Sequence, residues 1–412
     1  MDTLSRRRFL QLASGVAGGV ALGLTMGDVA RAAVTRPLPA GTPILVIVTL
    51  YGGNDGLNTL IPYQDSTYYS MRPDISFKES EVLPLGEGLA LNGSMVGMKN
   101  LWDQGKLAII RGVGYPQFDH SHFRSMAIWQ SGSPVSATST GWIGRWIDTQ
   151  PTDALTAINL GSVLPPLFMG VKKNGSAVPL TGLNLPKGAL ATNCARIAQT
   201  SSQDTPLQQV ASSSLRSLFS VGDEIAPILR TPTPIGDGLP TVQGGNAGGN
   251  SALSSQLDIV AKFVSAGAPT KVWSVSLGGF DTHADEKGAQ SILIGNVSAS
   301  ISRFMSQIQN TSRKNDVTML IYSEFGRRVK ANASQGTDHG TAGPVFVVGN
   351  RVKGGFFGDQ PSLTDLDQGD LKVTSDFRTI YASLLEEVLM TPSDRILGSW
   401  ALRHELFRKQ TS

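Results

Sequence analysis

Continuous apolar runs rich in β-branched residues alternate along this chain with stretches of helical periodicity. Pro43-Ile-Leu-Val-Ile-Val-Thr-Leu50 leads into Gly52-Gly-Asn-Asp-Gly56, the pattern of a strand buried on both faces and followed by a tight loop. Comparable runs predict strands at Leu107–Val113, Lys271–Leu277, Asp316–Tyr322 and Pro344–Gly349. Apolar spacing of three and four predicts helices over Ile292–Ile308 and Phe377–Leu389, with another from Phe123 to Gln130 and a packing helix over Asp394–Phe407. This alternation predicts an α/β fold, a central and mostly parallel sheet covered by helices on both faces.

The pattern breaks at both a terminus and an insertion. Ser5-Arg-Arg-Arg-Phe-Leu-Gln11, an apolar Gly/Ala-rich run and Ala30-Arg-Ala32 form the n-region, h-region and exit of an export signal. Paired arginines before Phe-Leu resemble the twin-arginine class, which carries folded proteins across the bacterial inner membrane. The expected domains are therefore a signal over 1–32, cleaved after Ala32, and one domain over 33–412, periplasmic or secreted after passing the twin-arginine export machinery. A retained anchor is the other reading of the apolar run, but spanning needs about 20 residues; no stable membrane span is expected after cleavage. From about 200 to 250 the chain is Ser/Gln-rich and then Pro/Gly-rich, which predicts a flexible insertion or cap with one short helix near Leu215 to Ile225.

Composition narrows the function. The formal charge of +3 falls to +1 without residues 1–32, which excludes the basic surplus of a nucleic-acid binder. Cys194 is the single cysteine, so the domain holds together without an internal disulfide. No Gly-x-Ser-x-Gly occurs, against a serine hydrolase of the nucleophile-elbow type.

Chemistry gathers in the loops that follow the predicted strands, where ligands of α/β proteins bind. His120, His122, His283 and His339 fall there, together with Asp55, Asp281, Glu324 and Asp338, an oxygen and nitrogen set suited to zinc, manganese or another divalent ion. Asp281 and His283, two apart in an extended loop, point the same way and could grip one ion; alternatively Asp281 caps the next helix. Gly336-Thr-Asp-His-Gly340 sets Asp338 beside His339, as ligands or as an Asx-turn. Asn54-Asp55-Gly56 reads as a turn alone and as a ligand loop beside the others. Arg327 and Arg328 could bind a substrate anion or a carboxylate. Ser121 opens a predicted helix, either as its N-cap or as a nucleophile toward a phosphoryl or sulfuryl group.

In order along the chain, Gly52-Gly-Asn-Asp-Gly-Leu-Asn58, Ser121-His-Phe123, Gly278-Gly-Phe-Asp-Thr-His283, Ser323-Glu-Phe-Gly-Arg-Arg328 and Gly336-Thr-Asp-His-Gly340 resemble a family of twin-arginine-exported bacterial proteins of unassigned function. That family is distantly similar to the alkaline phosphatase and sulfatase superfamily. The resemblance implies an alkaline-phosphatase-like fold, a metal-binding Asp55, a nucleophile at Ser121, an Asp and His pair at Asp281 and His283, and a last ligand at His339. Where the superfamily has Ser-Asp-His-Gly, this chain has Ser323-Glu-Phe-Gly326, and Phe325 cannot ligate. The expected centre thus holds a single ion, a rearranged pair using Asp338 or His122, or none. Two functions follow: a metal-dependent hydrolase or transferase of a small phosphate or sulfate ester, with Ser121 and Arg327 catalytic, or a non-catalytic binding or assembly protein with a protein partner.

Overall fold

The computed structural model describes residues 26–151, 153–180 and 252–409. The insertion at about 200–250, its expected short helix, Cys194 and the twin-arginine motif lie outside the described residues. The helices are α1 (Met26–Thr35), α2 (Ser66–Met71), α3 (Val96–Asp103), α4 (His122–Ser131), α5 (Trp142–Thr149), α6 (Leu253–Ser265), α7 (Glu286–Gln309) and α8 (Phe377–Glu387). The strands used below are β1 (Ile44–Leu50), β2 (Leu60–Ile61), β3 (Val82–Gly86), β4 (Leu89–Asn92), β5 (Leu107–Gly114), β6 (Ala157–Leu160), β7 (Ser176–Val178), β8 (Val272–Leu277), β9 (Val317–Ser323), β10 (Arg327–Ala331), β11 (Thr337–His339), β12 (Gly343–Gly349) and β13 (Gly355–Phe357).

The main sheet runs in the order β13-β5-β12-β9-β1-β8-β6-β7, with Ser375–Asp376 added beside β5. Strand β1 pairs in parallel with both β8 and β9 and is buried along its whole length, the place its apolar run predicts. Only β12 opposes the others, pairing antiparallel with β5 and β9. Alternation along β1 sends Ile44, Val46, Val48 and Leu50 into one core with α1, α3, α6 and α7, while Leu45 and Ile47 enter a second core with α4, α5 and α8. The sheet is therefore covered by helices on both faces, as expected.

Two expectations need correction. Asp394–Phe407 forms a helix only at Asp394–Leu397; Gly398 then takes φ 67° and the chain continues without helix to an isolated bridge between Phe407 and Val352. The segment holding His339, read as a loop, pairs with the one that begins at Arg327 as the hairpin β10 and β11. Helix α1 spans the expected cleavage point at Ala32, with Met26, Val29, Ala30, Ala32 and Ala33 of the uncleaved chain buried in the first core.

That burial has a measurable consequence. A chain beginning at Ala33 loses the side chains of Met26 and Val29 from the core and is expected to be less stable by about 2–4 kcal/mol. Urea denaturation of the full and shortened chains measures it; equal midpoints would mean that α1 adds nothing to the fold.

Candidate metal centre

The carboxyl ends of β1, β8 and β9 lie side by side, and the loops leaving them meet the start of α4. Gly52, at φ 117°, lets the β1 loop touch the β8 loop, since a Cβ there would stand 2.5 Å from Asp281 N. Gly336 does the same for the hairpin, where a Cβ would stand 2.3 Å from the carbonyl carbon of His283.

One oxygen is the focus. Asp281 Oδ1 lies 3.0 Å from His283 Nε2, 3.1 Å from His339 Nε2 and 3.4 Å from His122 Nε2. The Nε2 atoms of His283 and His339 are also 3.0 Å apart. Four ligands around one ion at bond lengths of about 2.0–2.2 Å would stand about 3.2–3.6 Å from one another, close to this spacing.

Hydrogen bonds at the far side of two rings fix what they present here. His339 Nδ1 is 2.7 Å from the backbone oxygen of His120, which can only accept, so Nδ1 carries the proton and Nε2 is a lone pair. His122 Nδ1 is 2.8 Å from Glu324 Oε1, which orients that ring in the same sense. His122 Nε2 is buried and has no hydrogen-bond partner. His122, Asp281 and His339 bring two imidazole nitrogens and a carboxylate oxygen together, a set able to grip a metal ion. These residues fit a divalent cation, with His283 as a fourth ligand.

Electrostatics agree with an ionised Asp281 and a neutral His339, while they favour a proton on His122 that a metal ion would have to displace. Burial works against ionisation of Asp281, but the Arg327 guanidinium and the imidazoles outweigh it and bring its pKa down to about 2. The hydrogen bond to Glu324 raises the pKa of His122, against the effect of burial, whereas burial lowers that of His339.

The other expected site residues take different places. Asp55 is fully buried away from this cluster: Oδ2 accepts from Arg72 Nη1 at 2.5 Å and Oδ1 caps the short helix Gly56–Asn58 through Leu57 N. Its turn signal was therefore the better guide. Glu324 turns both oxygens to hydrogen-bond donors: Oε1 accepts from Gly52 N and His122 Nδ1, and Oε2 from Ser323 Oγ. Asp338 is exposed, with Oδ1 3.7 Å from His283 Nδ1. Arg327 does not face substrate. It is 1% exposed, and each guanidinium nitrogen is bonded: Nε to Gly53 O, Nη1 to Thr337 O, Nη2 to Gly52 O, Phe280 O and Asp281 Oδ1. Ser121 caps α4, its exposed hydroxyl accepting from Arg124 N at 3.5 Å. His122, which the sequence offered only as an alternative ligand, is grouped with Asp281 and His339, while Asp55 and Glu324 are bonded to other partners. Phe325, at the position where a ligand was expected, packs its ring against His122 and His339, with centroids 4.9 and 5.0 Å away.

Beneath the centre lies a second charged group, Asp55, Arg72 and Glu286. Burial and the neighbouring Asp55 push the Glu286 pKa up to about 9, and Thr337 Oγ1 and Asn58 Nδ2 donate to its carboxyl oxygens. Asp55 is held below its usual value, because Arg72 and the Glu286 hydrogen bond outweigh its burial. A carboxyl raised above its unfolded value of 4.5 stabilises the fold below that pH, and this contribution is lost as pH rises through about 9. Glu286→Gln should therefore gain stability relative to the parent as pH increases, by roughly 1–3 kcal/mol at pH 8. Melting the two proteins from pH 5 to 9 checks this; parallel curves would mean that Glu286 does not hold the proton.

Residues 258–392 match the family described as Protein of unknown function (DUF1501). The matched stretch contains Asp281, His283, Glu324, Arg327 and His339, and ends before none of the ligand loops that follow β8. No curated protein matches this chain. Among solved structures, a protein in the alkaline phosphatase superfamily from Vibrio parahaemolyticus is similar over 88% of this chain and 74% of its own, at 9% identity and a TM-score of 0.40. The phosphonate monoester hydrolase of Agrobacterium radiobacter is similar over 89% and 79%, at 9% identity and a TM-score of 0.40. The alkaline phosphatase from the Antarctic bacterium TAB5 is similar over 75% and 92%, at 11% identity and a TM-score of 0.33.

Proposed function

We propose that this chain is an exported, metal-dependent hydrolase or transferase that acts on a phosphate or sulfate ester. The convergence of the His122, His283 and His339 Nε2 atoms on Asp281 Oδ1 carries the reading. A divalent ion held there, zinc or manganese by the chemistry of the donors, would polarise a phosphoryl or sulfuryl oxygen and favour the ionised form of a nearby hydroxyl.

The chain supplies the rest. Glu324 and the His120 carbonyl hold the two imidazoles in register, and Arg327 holds Asp281. Ser121 is the nucleophile of this proposal: it precedes His122, its hydroxyl is exposed, and the free amides at the start of the ten-residue α4 favour negative charge. The serine oxygen bonds to phosphorus or sulfur as the bond to the leaving oxygen breaks, the serine proton passing to solvent and the leaving oxygen taking one from it. Water then attacks to give the free anion, or an acceptor hydroxyl attacks to give a new ester; in either case the bond to the serine oxygen breaks, that oxygen takes up a proton and Ser121 is restored.

No helix of the described residues is long and apolar enough to cross a membrane, which is compatible with a periplasmic or secreted domain. Replacing Arg6 and Arg7 by Lys should hold the protein in the cytoplasm if the twin-arginine route is used.

The second reading, a binding or assembly protein, draws on Phe325 at the expected ligand position and on the fully bonded Arg327. Assay of metal-loaded protein with p-nitrophenyl esters of phosphate and sulfate separates the two. Turnover that falls at least about a thousandfold in Ser121→Ala, with metal retained, supports the enzyme and its nucleophile. Undiminished turnover in that variant removes Ser121 from the mechanism, and bound metal without turnover favours the binding protein.

A further inference from the structure

Arg327 has no exposed face, yet it lies where the β1 loop, the β8 loop and the β10–β11 hairpin meet. Its nitrogens collect the carbonyls of Gly52 and Gly53 after β1, of Phe280 after β8 and of Thr337 in the hairpin, and Nη2 reaches Asp281 Oδ1 at 2.6 Å. Carbonyl oxygens and a shared carboxylate around a buried positive charge are also what a hard divalent cation would gather. A guanidinium cannot give up its charge in a protein, so that position is permanently filled.

The groups that could hold a second ion nearby are engaged elsewhere. Asp55 is bonded to Arg72 and to Leu57 N, and Glu324 to Gly52 N, His122 Nδ1 and Ser323 Oγ. Phe325 fills the flank with a ring that offers no donor. We infer that Arg327 stands in for a second cation, so that the centre holds one divalent ion, carries a single net positive charge and takes a monoanionic tetrahedral ester.

The charge follows from the residues in contact. One divalent ion and Arg327 stand against the carboxylates of Asp281 and Glu324, which leaves one positive charge. The nearby exposed arginines are themselves paired, Arg124 with Asp119 at 3.2 Å and Arg328 with Asp370 at 3.4 Å. Asp338 is largely in solvent and screened. A sulfate monoester or a phosphate diester brings one negative charge and is matched. A phosphate monoester brings two near neutral pH and leaves one unbalanced beside Asp281.

This inference rests on the metal-dependent reading above, and the test separates the two. The full chain, stripped with chelator and titrated with Zn²⁺ or Mn²⁺ alone, is weighed by native mass spectrometry. The loaded protein is then assayed at pH 8 with p-nitrophenyl sulfate, bis-p-nitrophenyl phosphate and p-nitrophenyl phosphate. One ion per chain, and a preference of about tenfold or more for the monoanionic esters, is expected; the first two substrates tell a sulfate ester from a phosphate diester. Two ions per chain would overturn the role of Arg327 and leave the metal-dependent reading intact. One ion with p-nitrophenyl phosphate turned over as fast, or with no ester turned over, would overturn the charge match. No bound ion would overturn the metal-dependent reading and this inference with it. In Arg327→Gln a second ion should enter or the preference should vanish; should that variant fail to fold, the parent's stoichiometry and preference still decide.

Discussion

Asp281→Ala is expected to weaken divalent-ion binding at least about a hundredfold, because it removes the one oxygen on which all three imidazoles converge. It also leaves the Arg327 guanidinium buried without its carboxylate, so a loss of stability should accompany the loss of metal. Asp281→Asn keeps the shape and a carbonyl oxygen for Arg327, and separates the two effects. Glu324→Gln touches no ion directly but loosens the bond that orients His122, and should cost about 10–100-fold in affinity. Competition with a coloured chelator measures all three. Unchanged affinity in Asp281→Ala would mean that the convergence of these side chains is not a metal site.

The largest effect on stability is expected away from the metal. Arg72 and Asp55 are both fully buried, and Arg72 also donates to the carbonyls of Arg328 and Val329, tying the β1 loop to β10. Removing one partner of such a pair leaves a bare charge in the interior, so Arg72→Met should destabilise the protein by about 3–5 kcal/mol. Adding Asp55→Asn should return part of that loss, since no isolated carboxylate then remains. Guanidinium denaturation of the single and double variants provides the check; a double variant as unstable as the sum of the singles would mean that the two groups are not coupled.

How far the sequence reached differs from residue to residue. The run Ile44–Leu50 reads as a central strand because Thr49 is its only polar position and no charge interrupts it, and the glycines of Gly52-Gly53 and Gly336 mark loops that must approach closely. Asp281, His283 and His339 were legible as a group because they follow strands that the pattern places side by side. Ser121 was legible as a helix start, and its capping bond agrees with the plainer of its two readings.

Roles within the cluster were another matter. In sequence, Asp55, Glu324 and Arg327 look as eligible as His122, since each is a charged residue in or next to a strand-end loop. What separates them is long-range: Arg72 claims Asp55 from 17 positions away, His122 claims Glu324 from 202 and four backbone carbonyls claim Arg327. The sequence by itself determined five central strands, the helix-covered layers and which loops would share an edge, because apolar periodicity is a local property that burial then obeys. Only the tertiary structure decided which donor atoms face one another and which are already bonded, because hydrogen-bond partners in a folded interior are assigned by distance in space.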